Sequence, residues 1–129
     1  MTAPEPTVFI VDDDRDVLQS FHSMFSAMNL PVATFFSGRE FLEAVRHGQP
    51  GCVIIDMRMS EMDGLELQRE INRRSLGLTV IIISGGGTED IRDRAMAEGA
   101  LACLKKPVKG KDLTDLVRQG LEKSVEMSA

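Results

Sequence analysis

Cys52-Val53-Ile54-Ile55-Asp56, followed by Met-Arg-Met-Ser-Glu-Met-Asp-Gly over 57–64, is the stretch on which the reading of the fold turns. Four apolar residues, three of them β-branched, run without a polar interruption and stop at a carboxylate. A short unbroken apolar run of this kind suits a strand buried on both faces, as in a parallel sheet, rather than one with a solvated side. The period then changes: a loop runs through Asp63, and Leu65, Leu67 and Ile71 predict a helix up to Arg74.

The same alternation extends in both directions. Downstream, Leu78–Ile83 (LTVIII) predicts a strand, Ser84 to Thr88 a glycine-rich loop, and Ile91, Ala95 and Met96 a helix that stops at Gly99. Ala100–Lys105 predicts a short strand, and Leu113, Leu116, Val117 and Leu121 mark a last helix near Lys111 to Lys123. Upstream, Thr7–Asp12 (TVFIVD) is a strand that runs into three aspartates. Val17, Leu18, Phe21, Met24, Phe25 and Met28 then share one helical face behind an Asp14 N-cap. Pro31–Phe36 predicts a further strand. Ser37 with Glu40 forms a capping-box signature ahead of Phe41, Leu42 and Val45, in a helix that Gly48 ends.

Five strands, each followed by a helix, predict an α/β fold with a parallel sheet covered on both faces, because parallel neighbours need crossover connections. An eightfold barrel takes about 250 residues, and the chain has 129. What fits is a doubly wound, flavodoxin-like (βα)5 sheet of order 2-1-3-4-5. One domain over 1–129 is expected, with an ordered core about 7–123.

Composition narrows the function classes. The hydrophobic fraction of 43% and charged fraction of 27% are those of an ordinary globular chain. A net charge of −5 lacks the basic footprint of a nucleic-acid binder, so DNA is not expected as a direct partner. No apolar run approaches the roughly 18 residues of a membrane span. Met1–Pro6 have no signal-peptide character, and a cytoplasmic location is expected. Cys52 and Cys103 stand apart in apolar surroundings and read as reduced core residues. Met24, Met28 and Met96 are placed on helical core faces, while Met57, Met59 and Met62 line the loop after Asp56. His22 and His47, placed on helices, are given no chemistry. Lys105, Lys109 and Lys111 read as solvated surface, and Arg73 and Arg74 suit a helix C-terminus.

In an open α/β sheet, ligands bind beyond the carboxyl ends of the strands, here between strands one and three. Asp12 and Asp13 end strand one, Asp56 strand three, Ser84 strand four and Lys106 strand five. Adjacent strands are about 4.8 Å apart, so these carboxylates can share one small ion. Crowded anions need a proton or a cation, and an oxygen-only donor set without His or Cys favours Mg²⁺. A carboxylate at such a site can attack a phosphoryl group once the charge on the transferring oxygens is neutralised, with Lys106 and the Ser84 hydroxyl as partners. Taken singly, an aspartate run caps a helix and a Lys before Pro is a turn. Four such features at four strand ends point to one site.

These residues carry a resemblance over Val8 to Leu121. VDDD at 11–14, DMRMSEMDGLEL at 56–67, IIISG at 81–85 and LKKP at 104–107 resemble the motifs of the response regulator receiver domain, and the loop wording is most similar to FixJ-type receivers. The resemblance implies that Asp56 is the phosphoacceptor. It implies that Asp13 binds Mg²⁺ directly, Asp12 mainly through water, and that the backbone carbonyl of Arg58 completes the protein's ligands. Ser84 and Lys106 would contact the phosphoryl group, and the Lys106–Pro107 bond would be cis. The donor would be a histidine kinase or a phosphotransfer protein, and a homodimer through helix four, strand five and helix five would be the family's assembly. The chain would be a signalling module rather than a metabolic enzyme, either alone or as the amino-terminal piece of a longer regulator.

Two departures bear on switching. Cys103 stands where the family commonly has an aromatic that rotates inward, a swing cysteine cannot make. Ser60 stands where proline is frequent, which loosens the loop. Other classes are a receiver-like module that works by constitutive contacts, an aspartyl-phosphate phosphatase, and a flavin module. The phosphatase lacks a general acid at position 58 and a cap. The flavin module lacks a Trp or Tyr to stack on the ring.

Overall fold

The computed structural model describes residues 5–86 and 89–128, so of the domain expected over 1–129 the first four residues, Gly87, Thr88 and Ala129 lie outside the described residues. The chain alternates strand and helix throughout. The elements are β1 (Thr7–Val11), α1 (Arg15–Ala27), β2 (Val32–Phe35), α2 (Gly38–Ala44), β3 (Gly51–Asp56), α3 (Gly64–Arg73), β4 (Thr79–Ser84), α4 (Glu89–Ala97), β5 (Ala102–Lys105) and α5 (Gly110–Ser128). The five strands form one parallel sheet of order β2-β1-β3-β4-β5, the expected flavodoxin-like topology.

Alternation along the strands divides the core in two. Phe9, Val11, Val53, Ile55, Val80 and Ile82 face one side, where Phe41, Leu67, Ile71 and Ala95 bring in α2, α3 and α4. Val8, Ile10, Cys52, Ile54, Ile81 and Ile83 face the other, under Leu18 and Phe25 of α1 and Leu113, Val117 and Leu121 of α5. Every residue of β3 and β4 is buried, the condition their unbroken apolar runs required. Phe41 stands edge-on to Phe9 and Phe35, with ring centroids 5.5 and 5.4 Å away, and so fixes α2 against the β1–β2 edge.

Several local expectations change. Ser37 caps α2 by accepting from the Glu40 amide, but only this half of the capping box forms. The full reciprocal box belongs to α3, where Asp63 accepts from the Glu66 amide and Glu66 from the Asp63 amide. Helix α2 ends at Ala44 because Val45 turns to extended backbone (ψ 143°) to pack on the core, and Gly48 serves the following turn at φ +83°. His47 is therefore in that turn and not on a helix; its Nε2 lies 2.9 Å from the Arg74 carbonyl. Met96 faces solvent rather than core, since Ala95 holds the buried position of α4. Helix α5 runs five residues past the expected end, to Ser128. Among the described residues no helix is long and apolar enough to cross a membrane.

Candidate functional site

The register brings four strand ends to one edge. Val11 pairs with Ile55, Asp56 with Ile83 and Ser84 with Lys105, so Asp12, Asp56, Ser84 and Lys106 stand side by side where the sheet meets solvent. The topology predicts this place, because β1 and β3 are neighbours whose following helices leave on opposite faces.

The three aspartates after β1 do three different jobs. Asp12 is buried, and its Oδ1 accepts from the Asp14 amide at 2.9 Å. Asp13 is exposed, with Oδ2 3.4 Å from the Ser60 amide, so it reaches across to the β3–α3 loop. Asp14 caps α1 by accepting from the Asp16 amide. Asp56 completes the cluster from the end of β3, 6% exposed. Carboxylate oxygens of Asp12, Asp13 and Asp56 lie within 4.8 Å of one another.

Lys106 answers this negative charge. Its Nζ stands 2.9 Å from Asp56 Oδ1. The Asp56 interaction, ahead of the longer-range pull of Asp12 and Asp14, holds the ammonium above its ordinary value. Lys106 is thus the charged partner of the buried Asp56 Oδ1, which has no other hydrogen-bond partner among the described residues. The backbone keeps the lysine in place: the Lys106 amide donates to the Ser84 carbonyl at 2.8 Å, and the Lys106–Pro107 bond is cis. Ser84 itself is buried at the end of β4. Arg58 is exposed in the β3–α3 loop, two residues beyond Asp56.

Burial dominates the electrostatics of Asp12. Desolvation raises its pKa to about 6, the Asp14 amide works against that rise, and the charges of Asp56 and Asp13 add to it. A cluster of carboxylates from three aspartates, all hard oxygen donors, fits a small divalent cation of the Mg²⁺ class. An open cavity of about 470 Å³ adjoins the site between α1 and the segment after β5, lined by Asp12, Val17, Phe21, Ile83, Lys106 and Val108 among others.

The β3–α3 loop is held from both ends. The Gly64 amide donates to the Met57 carbonyl at 3.0 Å, and a Cβ at 64 would meet Met57 Cα at 3.0 Å and the Asp56 carbonyl at 3.1 Å. Glycine is what lets α3 start this close to Asp56. Gln68, one turn further along, is 1% exposed and was not singled out from sequence, because an amide inside a helical apolar pattern looks like a surface position.

Comparison with known proteins accords with this geometry. The family described as response regulator receiver domain matches residues 8–118. Transcriptional regulatory protein TdiR of Thauera aromatica is 35% identical over 127 residues, covering 98% of this chain and 56% of that protein. Transcriptional regulatory protein FixJ of Azorhizobium caulinodans is 34% identical over 92% of this chain and 56% of its own length. The chain thus spans about half the length of these curated relatives. Among solved structures, response regulator StyR superposes with a TM-score of 0.89 at 38% identity, over 95% of this chain and 62% of that one. The structure titled FixJ-N gives a TM-score of 0.81 at 29% identity, over 95% and 96%.

Proposed function

The chain belongs to the response regulator receiver domains, and from that premise we propose that Asp56 accepts a phosphoryl group in a Mg²⁺-dependent reaction. The observation that carries this reading is the convergence of Asp12, Asp13 and Asp56 within 4.8 Å, with Lys106 Nζ 2.9 Å from Asp56 Oδ1.

In the reaction a carboxylate oxygen of Asp56 attacks the donor phosphorus in line. The P–N bond of a phosphohistidine breaks, or the P–O bond of a small donor such as acetyl phosphate, and the bonding pair leaves with imidazole or acetate. Lys106 pairs with the Asp56 carboxylate before transfer and with a phosphoryl oxygen afterwards, so its charge stays compensated on both sides of the step. The Ser84 hydroxyl hydrogen-bonds a second phosphoryl oxygen. Asp13, Asp12, Asp56 and the carbonyl of Arg58 would hold Mg²⁺, which when bound would supply the remaining neutralisation of the phosphoryl oxygens. Asp13 is exposed and Asp12 buried, a placement that suits direct ligation by the first and support by the second.

The donor is a histidine kinase or phosphotransfer protein in the cytoplasm, and the acyl phosphate changes the domain's affinity for its partners, a second copy among them. A second reading, a constitutive binding module, draws on Cys103 at the switching position.

Intact mass after incubation with acetyl phosphate and Mg²⁺ separates the two. An acid-stable, base-labile adduct of one phosphoryl group is expected for the parent, and none for Asp56→Asn or without metal. A folded parent that acquires no adduct leaves the constitutive module.

A further inference from the structure

Among the described residues, the side-chain hydrogen bonds and ion pairs that tie helix α4 to another element gather at its C-terminal end. On its C-terminal half, three residues of α3 reach over: Gln68 Nε2 donates to the Ala95 carbonyl at 2.9 Å, Asn72 Nδ2 donates to the Glu98 carbonyl at 2.8 Å, and Arg69 Nε lies 3.6 Å from Glu98 Oε1. The Ala95 side chain, fully buried, is small enough to let the two helices approach. On the N-terminal half, among the described residues, no side-chain hydrogen bond or ion pair joins 89–93 to another element, and the pair Asp90–Arg94 is internal to the helix. Beneath that half lies an open cavity of about 350 Å³, lined by Ser84, Ile91, Arg92 and Cys103 among others.

We propose that α4 pivots on α3, with Gln68 as the positioning residue through which the state of the Asp56 site reaches α4. The chain of contacts is continuous. Asp56 leads into the loop that Ser60 ties to Asp13, the Gly64 amide donates to the Met57 carbonyl of that loop at 3.0 Å, and Gly64 opens the helix whose second turn carries Gln68. A small shift of the loop moves α3 as a rigid body, and the buried amide carries that shift to the Ala95 carbonyl.

Gln68 also gives the arrangement a second state. Its Oε1 is buried without a donor among the described residues. A buried acceptor left unmet raises the free energy of this arrangement, and so narrows the gap to one in which α4 turns and supplies a donor. The cavity under Ile91 and Arg92 gives the N-terminal half of the helix room to close. Coupling by this route needs no large side chain at position 103.

The inference rests on the phosphoacceptor reading of Asp56, and its test keeps the two apart. The full chain is loaded with Mg²⁺ and beryllium fluoride, which stands in for the phosphoryl group. Loading is read by ¹⁹F NMR and helix behaviour by amide hydrogen exchange. In the parent, loading is expected to change exchange in 89–97 by roughly fivefold or more, the lower range of allosteric coupling. Gln68→Met, and separately the surface variant Asn72→Ala in case the first folds poorly, should load equally but lose most of that change. Cys103→Ala should keep it. A full α4 response in both α3 variants, or its loss in Cys103→Ala with loading intact, overturns the route through Gln68. No bound beryllium fluoride in the folded parent overturns the phosphoacceptor reading and takes the route down with it.

Discussion

The two cysteines show how much one position's surroundings decide. Cys52 is fully buried between β1 and β4 under α5, and burial pushes its thiol up to about 11. Cys103 is only partly covered; burial raises its thiol too, with Arg92 working against the rise. The thiolate is the reactive form. At mildly alkaline pH, native protein should therefore take up one alkyl group quickly at Cys103 and a second only on unfolding. Mass spectrometry after timed iodoacetamide treatment reads this directly, and equal rates at both sites would contradict the burial of Cys52. Sequence reading marked both as reduced core residues, and could not rank them because it saw apolar neighbours but not depth. The aspartates give the same lesson. Their place at a strand end was legible from the VDDD string, whereas the division into buried Asp12, exposed Asp13 and capping Asp14 depends on backbone direction after Val11.

At the scale of elements, strands were easier to read than helix ends. Unbroken apolar runs identify β3 and β4 because the demand comes from burial on both faces. The end of α2 was missed because Val45 leaves the helix to meet the core, a tertiary preference invisible to a search for glycine. The loop was read as ending at Asp63, where α3 does begin, but the cap itself went unnamed because the reciprocal Asp63–Glu66 bonds depend on backbone direction at that turn. That cap makes both hydrogen bonds of a capping box, so Asp63→Ala should cost about 1 kcal/mol, measured by urea unfolding; no loss would mean that the packing of Gly64 alone holds the start of α3. A stronger conflict sits in α5. Gly120 in mid-helix should favour replacement by alanine by about 1 kcal/mol on propensity. A Cβ there, however, would lie 2.8 Å from both Cys52 Sγ and Thr79 Oγ1, and the Thr79 hydroxyl donates to the Gly120 carbonyl at 3.0 Å. Overpacking typically costs about 1–3 kcal/mol, so steric cost should win. Gly120→Ala should be less stable than the parent, and a stabilised variant would show that α5 can lift off the sheet at little cost.

For the molecule as a whole, the acidic site opposes stability so long as it holds no cation, and the sign follows from Asp12. Its carboxyl is raised from 3.8 to about 6 in the fold, chiefly by burial. The folded chain then binds this proton more tightly than the unfolded chain does. The favourable contribution is complete below the ordinary value near 3.8, and is lost as pH rises through about 6. At about 1.4 kcal/mol for each pH unit between the two states, the burden above that window is roughly 3 kcal/mol. Without metal, Asp12→Asn should therefore be more stable than the parent at about pH 8, by up to roughly that amount, and the advantage should shrink toward about pH 4. Saturating Mg²⁺ should reverse the order at high pH, because a cation that binds only the folded chain adds stability by mass action and the variant has given up a charge that draws it in. The proton and the cation compete, so apparent Mg²⁺ affinity should weaken below about pH 6. Urea unfolding at the two pH values, with and without Mg²⁺, gives all these comparisons in one series. If Asp12→Asn loses stability at high pH in metal-free buffer, the buried carboxylate is compensated by groups other than a cation, and the pull of this site for Mg²⁺ is weaker than its crowding suggests.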